Sequence, residues 1–286
     1  MAYLLPSRYI LGAGAFAGLF AATGLATAGL LFEGNVARLR ITKVMKTTWM
    51  VPYTDGRYGP TSKKPTTRMA ILGDSLACGF GVKNGRDTVG PLVAKKVSEH
   101  TGEQVLLRNY AQVGATSASL DAQVAQAHEF KPDITLIIIG ANDVTRARTG
   151  SSSLRALRNA ITALQRSGST VVVGTCPDLG QVGRIPAPLR DILRVASLRY
   201  GRSQTRAVTD LGAIPVKLSQ MLDDVPATTL FTADGFHPSA VGHRLAAQLL
   251  AAPLTAMLTP APFAAGTSTC TDLVFRTVAP LPARTQ

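Results

Sequence analysis

The sequence predicts an α/β fold built on a parallel sheet covered by helices on both faces. Three observations carry that expectation. From residue 69 onward, short apolar runs alternate with longer helical stretches. Two of the runs, "ITLIIIG" (134–140) and "TVVVGT" (170–175), are β-branched throughout, as strands buried on both faces should be. The intervening stretches have the length of crossover helices, which parallel strands need.

The elements follow in order. "MAIL" (69–72) is a short strand, and "GPLVAKKVSEH" (90–100) a helix with Pro91 at its start. "QVLLRNY" (104–110) is a strand and "SLDAQVAQAHEF" (119–130) an amphipathic helix. After the strand at 134–140 comes the helix "SSLRALRNAITALQRSG" (152–168), which Gly168 stops. The strand at 170–175 leads to a strongly basic helical stretch, 188–208. A last helix over 238–258 contains Pro253. No internal repeat is visible.

The flanks differ from this core. Tyr9 to Phe32 holds no charge over 24 residues. As a helix it would be roughly 36 Å long, enough for a hydrocarbon core of about 30 Å. Residues 1–32 therefore read as an N-terminal membrane anchor (a transmembrane helix). A cleaved signal segment, with Arg8 ahead of the apolar run and "ATA" at 26–28, and a buried helix are the alternatives. Residues 33–68 form a basic linker with eight Lys or Arg against Glu33 and Asp55. Trp49, Tyr53 and Tyr58 lie among them, a mixture that suits anionic lipid headgroups as well as plain solvent. Residues 69–258 make the folded domain, and 259–286 a Pro- and Thr-rich tail.

The net charge of +13 suggests an anionic neighbour. Eleven arginines between Arg146 and Arg206 face only Asp178 and Asp191. No nucleic-acid motif accompanies them, so no specific nucleic acid is expected. Cys78, Cys176 and Cys270 are too few and too scattered for a disulfide framework or a zinc site. One disulfide stays open. Cys78 and Cys176 read as small buried hydrophobes.

In a parallel sheet, sites form beyond the carboxyl ends of the strands. The polar loops there hold Ser75, Gly114, Asn142 and, before the last helix, Asp234 and His237. A serine hydroxyl needs a base, and His237 can be one. The imidazole needs an acceptor on its other nitrogen, and Asp234 lies three residues earlier. Acyl transfer also needs donors for a developing oxyanion: the Ser75 N–H, the Gly114 N–H and the Asn142 amide. Plainer roles compete. Ser75 could be a turn residue and Asn142 a cap, with Asp143 the better capping candidate. Asp74 reads as a loop-ordering acceptor. His100, His128 and His243 read as structural or solvated.

Four ordered blocks complete the picture: "GDSLACG" (73–79), "GATSAS" (114–119), "GAND" (140–143) and "DGFHPS" (234–239). From about Met69 to Ala247 the chain resembles the SGNH hydrolases, the GDSL esterase/lipase family. Its four signature residues fall on Ser75, Gly114, Asn142 and His237, and its triad acid on Asp234. The other common serine-esterase motif, G-x-S-x-G, is broken by Ala77. The resemblance implies a flavodoxin-like three-layer α/β/α sandwich and metal-free ester hydrolysis through an acyl-enzyme, with no cofactor. The implied substrate is an ester: a lipid, an acylated glycan or a small ester. An acyltransferase using the same intermediate on a sugar or lipid hydroxyl is the alternative, and a non-catalytic membrane-associated binding protein a third. Lys and Arg after the apolar span favour a cytoplasmic domain. The signal-like layout and the habit of such hydrolases favour the envelope side, which is the expectation adopted.

Overall fold

The computed structural model describes residues 51–61, 65–182, 185–222 and 225–258. The apolar span at 9–32 and the tail from 259, with Cys270, lie outside them. Among the described residues no helix is long and apolar enough to cross a membrane.

Six strands form one sheet: β1 (Gly56–Tyr58), β2 (Thr67–Gly73), β3 (Val105–Asn109), β4 (Ile134–Ile138), β5 (Thr170–Thr175) and β6 (Ile214–Lys217). Their order is β1-β3-β2-β4-β5-β6. Strands β3, β2, β4, β5 and β6 run parallel, as expected. In that set the chain order is 2-1-3-4-5, the flavodoxin-like winding. Strand β1 pairs antiparallel with β3, so the sheet is mixed. This edge strand comes from the segment read as linker.

The helices are α1 (Ser75–Cys78), α2 (Val89–Thr101), α3 (Leu120–His128), α4 (Ala141–Thr145), α5 (Ser151–Arg166), α6 (Leu189–Thr209), α7 (Ala227–Leu230) and α8 (Ala240–Leu258). Alternation along the strands sorts them into two layers. Met69 and Ile71 of β2, with Leu136 and Ile138 of β4, pack against Val93 of α2 and Leu250 of α8. Ala70, Leu72, Ile137 and Ile139 turn the other way, onto Leu120 of α3, Leu157 of α5 and Val208 of α6. Two dry interfaces on one sheet make a three-layer molecule. A third apolar cluster, including Val144, Cys176, Leu179, Val182 and Tyr200, roofs the carboxyl ends of the strands.

That winding creates a switch point. The crossover from β2 leads to β3 on one side, and β4 lies on the other. A crevice opens where such neighbours diverge. Ser75 follows β2 there, and Asn142 follows β4.

Candidate active site

The nucleophile block turns sharply at the end of β2. Gly73 has φ +136°, and a β-carbon there would lie 1.9 Å from the Ile138 carbonyl oxygen, so only glycine fits. The Asp74 N–H donates to that same carbonyl at 3.1 Å. The Asp74 carboxylate accepts from the Leu76 N–H at 3.1 Å, the loop-ordering contact expected of it. Burial pushes the Asp74 carboxyl up to about 7. Ser75 is thereby set at the first position of α1, 9% exposed.

His237 and Asp234 arrive from the loop between α7 and α8. Asp234 Oδ2 lies 2.6 Å from His237 Nδ1. Its Oδ1 accepts from the Phe236 N–H at 2.8 Å, the His237 N–H at 2.9 Å and the Thr232 hydroxyl at 2.8 Å. Burial would raise this carboxyl. Hydrogen bonds from the His237 ring and the two backbone N–H groups outweigh it and hold Asp234 at about 2. The imidazole is clasped by Phe80, centroid to centroid 4.5 Å, and by Phe236 edge-on at 5.0 Å.

Ser75 and His237 line one small cavity of about 50 Å³. Its walls are largely apolar and include Leu179, Val182, Met221, Phe231 and Phe236. Leu179 and Val182 follow β5, Met221 follows β6, and Phe231 and Phe236 belong to the loop that carries His237. Asp234 stands behind His237, 1% exposed.

The two remaining expected residues sit outside that cavity's lining, and Asn142 is bonded to the residue that follows Gly114. Gly114, at φ +79°, lies in the loop after β3. Asn142 lies in the first turn of α4, and its Nδ2 donates to the Ala115 carbonyl at 3.0 Å. An amide nitrogen has a second hydrogen to offer. Asp143 does not cap its own segment, as its position suggested. It is fully buried and accepts from the Ser117 N–H at 3.0 Å and the Ser117 hydroxyl at 3.1 Å. The asparagine block thus grips the glycine block through two successive side chains.

His243 is structural, as expected: fully buried on α8, with Nδ1 accepting from the Val89 N–H at 3.2 Å and Nε2 facing the Phe80 carbonyl at 3.3 Å. Burial pushes it down to about 4, so it is neutral and its Nε2–H donates to Phe80. Cys78 and Cys176 are free and buried, and burial pushes the Cys78 thiol up to about 12. Among the described residues no group of acids, histidines and cysteines is arranged to hold a metal ion.

The sequence reading missed Gln123 and Gln204. Both are polar residues on helices, and both are fully buried against the strand ends that bear the site.

Comparison with known proteins fits this geometry. Residues 71–245 match the GDSL-like lipase/acylhydrolase family. A GDSL-like esterase of Mycobacterium tuberculosis is 36% identical over 252 residues, 82% of this chain and 80% of that protein. Solved structures share the fold. The psychrotrophic esterase EstA from Pseudoalteromonas matches with TM-score 0.55 at 21% identity, over 67% of this chain and 98% of its own. A catalytic mutant of Axe2, an acetylxylan esterase from Geobacillus stearothermophilus, matches with TM-score 0.52 at 19% identity, over 64% and 91%.

Proposed function

The chain belongs to the GDSL-like lipase/acylhydrolase family and is a hydrolase of the esterase/lipase type, and on that premise we propose that it cleaves carboxylic esters through a Ser75–His237–Asp234 triad. One observation supports the reading most: a histidine tethered at 2.6 Å to a buried carboxylate opens into the same apolar cavity as Ser75.

In this reading Ser75 Oγ attacks the ester carbonyl carbon while His237 Nε2 takes the hydroxyl proton. Asp234 keeps the other ring proton on Nδ1 and offsets the imidazolium charge. The carbonyl oxygen becomes an oxyanion and accepts from the N–H groups of Ser75 and Gly114 and from the Asn142 amide. The intermediate collapses, the alcohol leaves with the proton held by His237, and an acyl-Ser75 ester remains. Water repeats the sequence with His237 as base and releases the acid. The acyl group occupies the apolar cavity walled by Met221, Phe231 and Phe236.

A sugar or lipid hydroxyl could replace water in the second half, because both attack the same intermediate; that acyltransferase is the alternative. We place the domain on the envelope side of a membrane, with residues 9–32 as anchor and anionic lipid near 33–68. The experiment is hydrolysis of a p-nitrophenyl ester series by the full chain beside Ser75→Ala and His237→Ala. Turnover abolished by both substitutions is expected. Equal turnover in either variant would overturn the mechanism, and transfer to an added glycan in preference to water would favour the acyltransferase.

A further inference from the structure

Two buried glutamines hold the strand ends that carry the site. Gln123, on α3, accepts from the Gly73 N–H through Oε1 at 2.7 Å and donates to the Gly73 carbonyl through Nε2 at 3.0 Å. Gln204, on α6, accepts from the Cys176 N–H at 2.7 Å and donates to the Ile139 carbonyl at 3.0 Å. The first amide closes on the end of β2, two residues before Ser75. The second bridges the ends of β4 and β5, three residues before Asn142.

The two strands leave the sheet in the same way. Gly73 and Gly140 both have φ +136°. A β-carbon on Gly73 would strike the Ile138 carbonyl, and one on Gly140 would lie 2.9 Å from Cys176 Cβ and 3.0 Å from Gln204 Nε2. The Gly73 carbonyl also accepts from the Gln112 N–H at 3.1 Å, so the β3 side of the ladder reaches Gly73, and Gln123 adds a second hold on both of its backbone polar groups. A buried backbone polar group left without a partner costs roughly 1–3 kcal/mol. A glutamine amide donates and accepts in one plane without carrying charge, so it can satisfy both neighbours at once. The helix that supplies each amide is itself packed on the sheet, so the strand end is fixed to the core.

We propose that Gln123 and Gln204 are a matched pair of positioning residues that set the spacing between the Ser75 nucleophile and the Asn142 oxyanion donor. The inference rests on the serine mechanism above. Strands β2 and β4 are direct neighbours, with Gly73 in register with Ile138. The separation of their carboxyl ends is therefore the separation of nucleophile and donor arms. Releasing either amide lets one arm drift relative to the other, and a displacement of about 1 Å costs on the order of 10²-fold in rate.

The test measures kcat and KM for the full-length parent, Gln123→Met, Gln204→Met, Gln123→Glu and Gln204→Glu, with sites counted by fluorophosphonate titration. Methionine keeps the length and removes both hydrogen bonds. Each Met variant is expected to lose about 10- to 100-fold in kcat per titrated site, with KM within about 3-fold of the parent. In Gln123→Glu the protonated carboxyl accepts and donates as the amide does, whereas the ionised carboxylate cannot donate to the Gly73 carbonyl. The ratio of Gln123→Glu to parent kcat should therefore rise as pH falls, while the Gln123→Met ratio stays flat. A merely structural glutamine would lower the melting temperature or the titrated fraction and leave kcat per site unchanged; that result, or a flat Gln123→Glu ratio, overturns the proposal. If a Met variant does not fold, the Glu variant at the same position, Gln123→Glu or Gln204→Glu, decides by the same pH-dependent ratio. A parent that neither turns over esters nor takes the label rejects the serine mechanism, and this inference with it; an active, labelled parent with unimpaired variants rejects only the inference.

Discussion

The carboxylate of Asp234 meets the imidazole of His237 at 2.6 Å, and three further hydrogen bonds leave that carboxylate no freedom to turn away. Such a fixed acceptor decides which ring nitrogen carries the proton. Asp234→Asn can still accept from the backbone at Oδ1, but it presents an NH₂ to His237 Nδ1 and so favours the wrong tautomer. Ester kcat should fall by about 10⁴-fold with the fold retained. Steady-state kinetics beside a circular-dichroism melt checks it.

The same carboxylate predicts an acid limb in stability. Its pKa is depressed to about 2 in the folded state. The stabilisation is therefore complete above the unfolded value of about 4 and is lost as pH falls from there toward about 2, to the extent of ~2 kcal/mol. Urea melts of the parent between those pH values should show that loss, and Asp234→Asn should show less of it.

His243 contributes a second, separate pH dependence. It is buried and neutral, with its folded pKa lowered to about 4. Above pH ~6.5 neither state protonates it, so it costs nothing there. As pH falls from about 6.5 to about 4 the unfolded chain takes the proton and the folded one does not, which removes up to ~3 kcal/mol of stability. Below about 4 the loss levels off. His243→Gln should flatten the stability profile across that window, as read by denaturant melts at a series of pH values.

Met221 and Phe231 wall the cavity beside Ser75. Met221→Ala should move the preferred p-nitrophenyl ester toward longer acyl chains. Each methylene accommodated is worth about 1–3 kcal/mol in discrimination. An unchanged chain-length profile would mean the acyl group lies elsewhere.

Residue patterns explain what could be read from the sequence and what could not. Strands β4 and β5 were legible because burial on both faces makes them continuous β-branched runs. Strand β6 was not. It lies at the sheet edge and contains Pro215, tolerated there because an edge strand need not donate on both sides. Strand β1 is three residues, "GRY", too short for any period to show. The Ser75 and Asn142 loops were legible because polar residues follow apolar strands where sites form, and the His237 loop because an aspartate stands three residues before a histidine ahead of the last helix. Gln123 and Gln204 were not, since glutamine on an amphipathic helix reads as a solvent-facing residue. Asp143 had the position of a cap, but its partner Ser117 lies 26 residues away in sequence, a contact only the fold creates.

In this mechanism Ser75 carries the acyl group. The most direct measurement is peptide mapping by mass spectrometry after reaction of the full chain with a fluorophosphonate, beside Ser75→Ala and His237→Ala. A single adduct on Ser75 is expected, absent from Ser75→Ala and slowed by at least about 10³-fold in His237→Ala. Ester turnover with no adduct, or with the adduct on another residue, would contradict it.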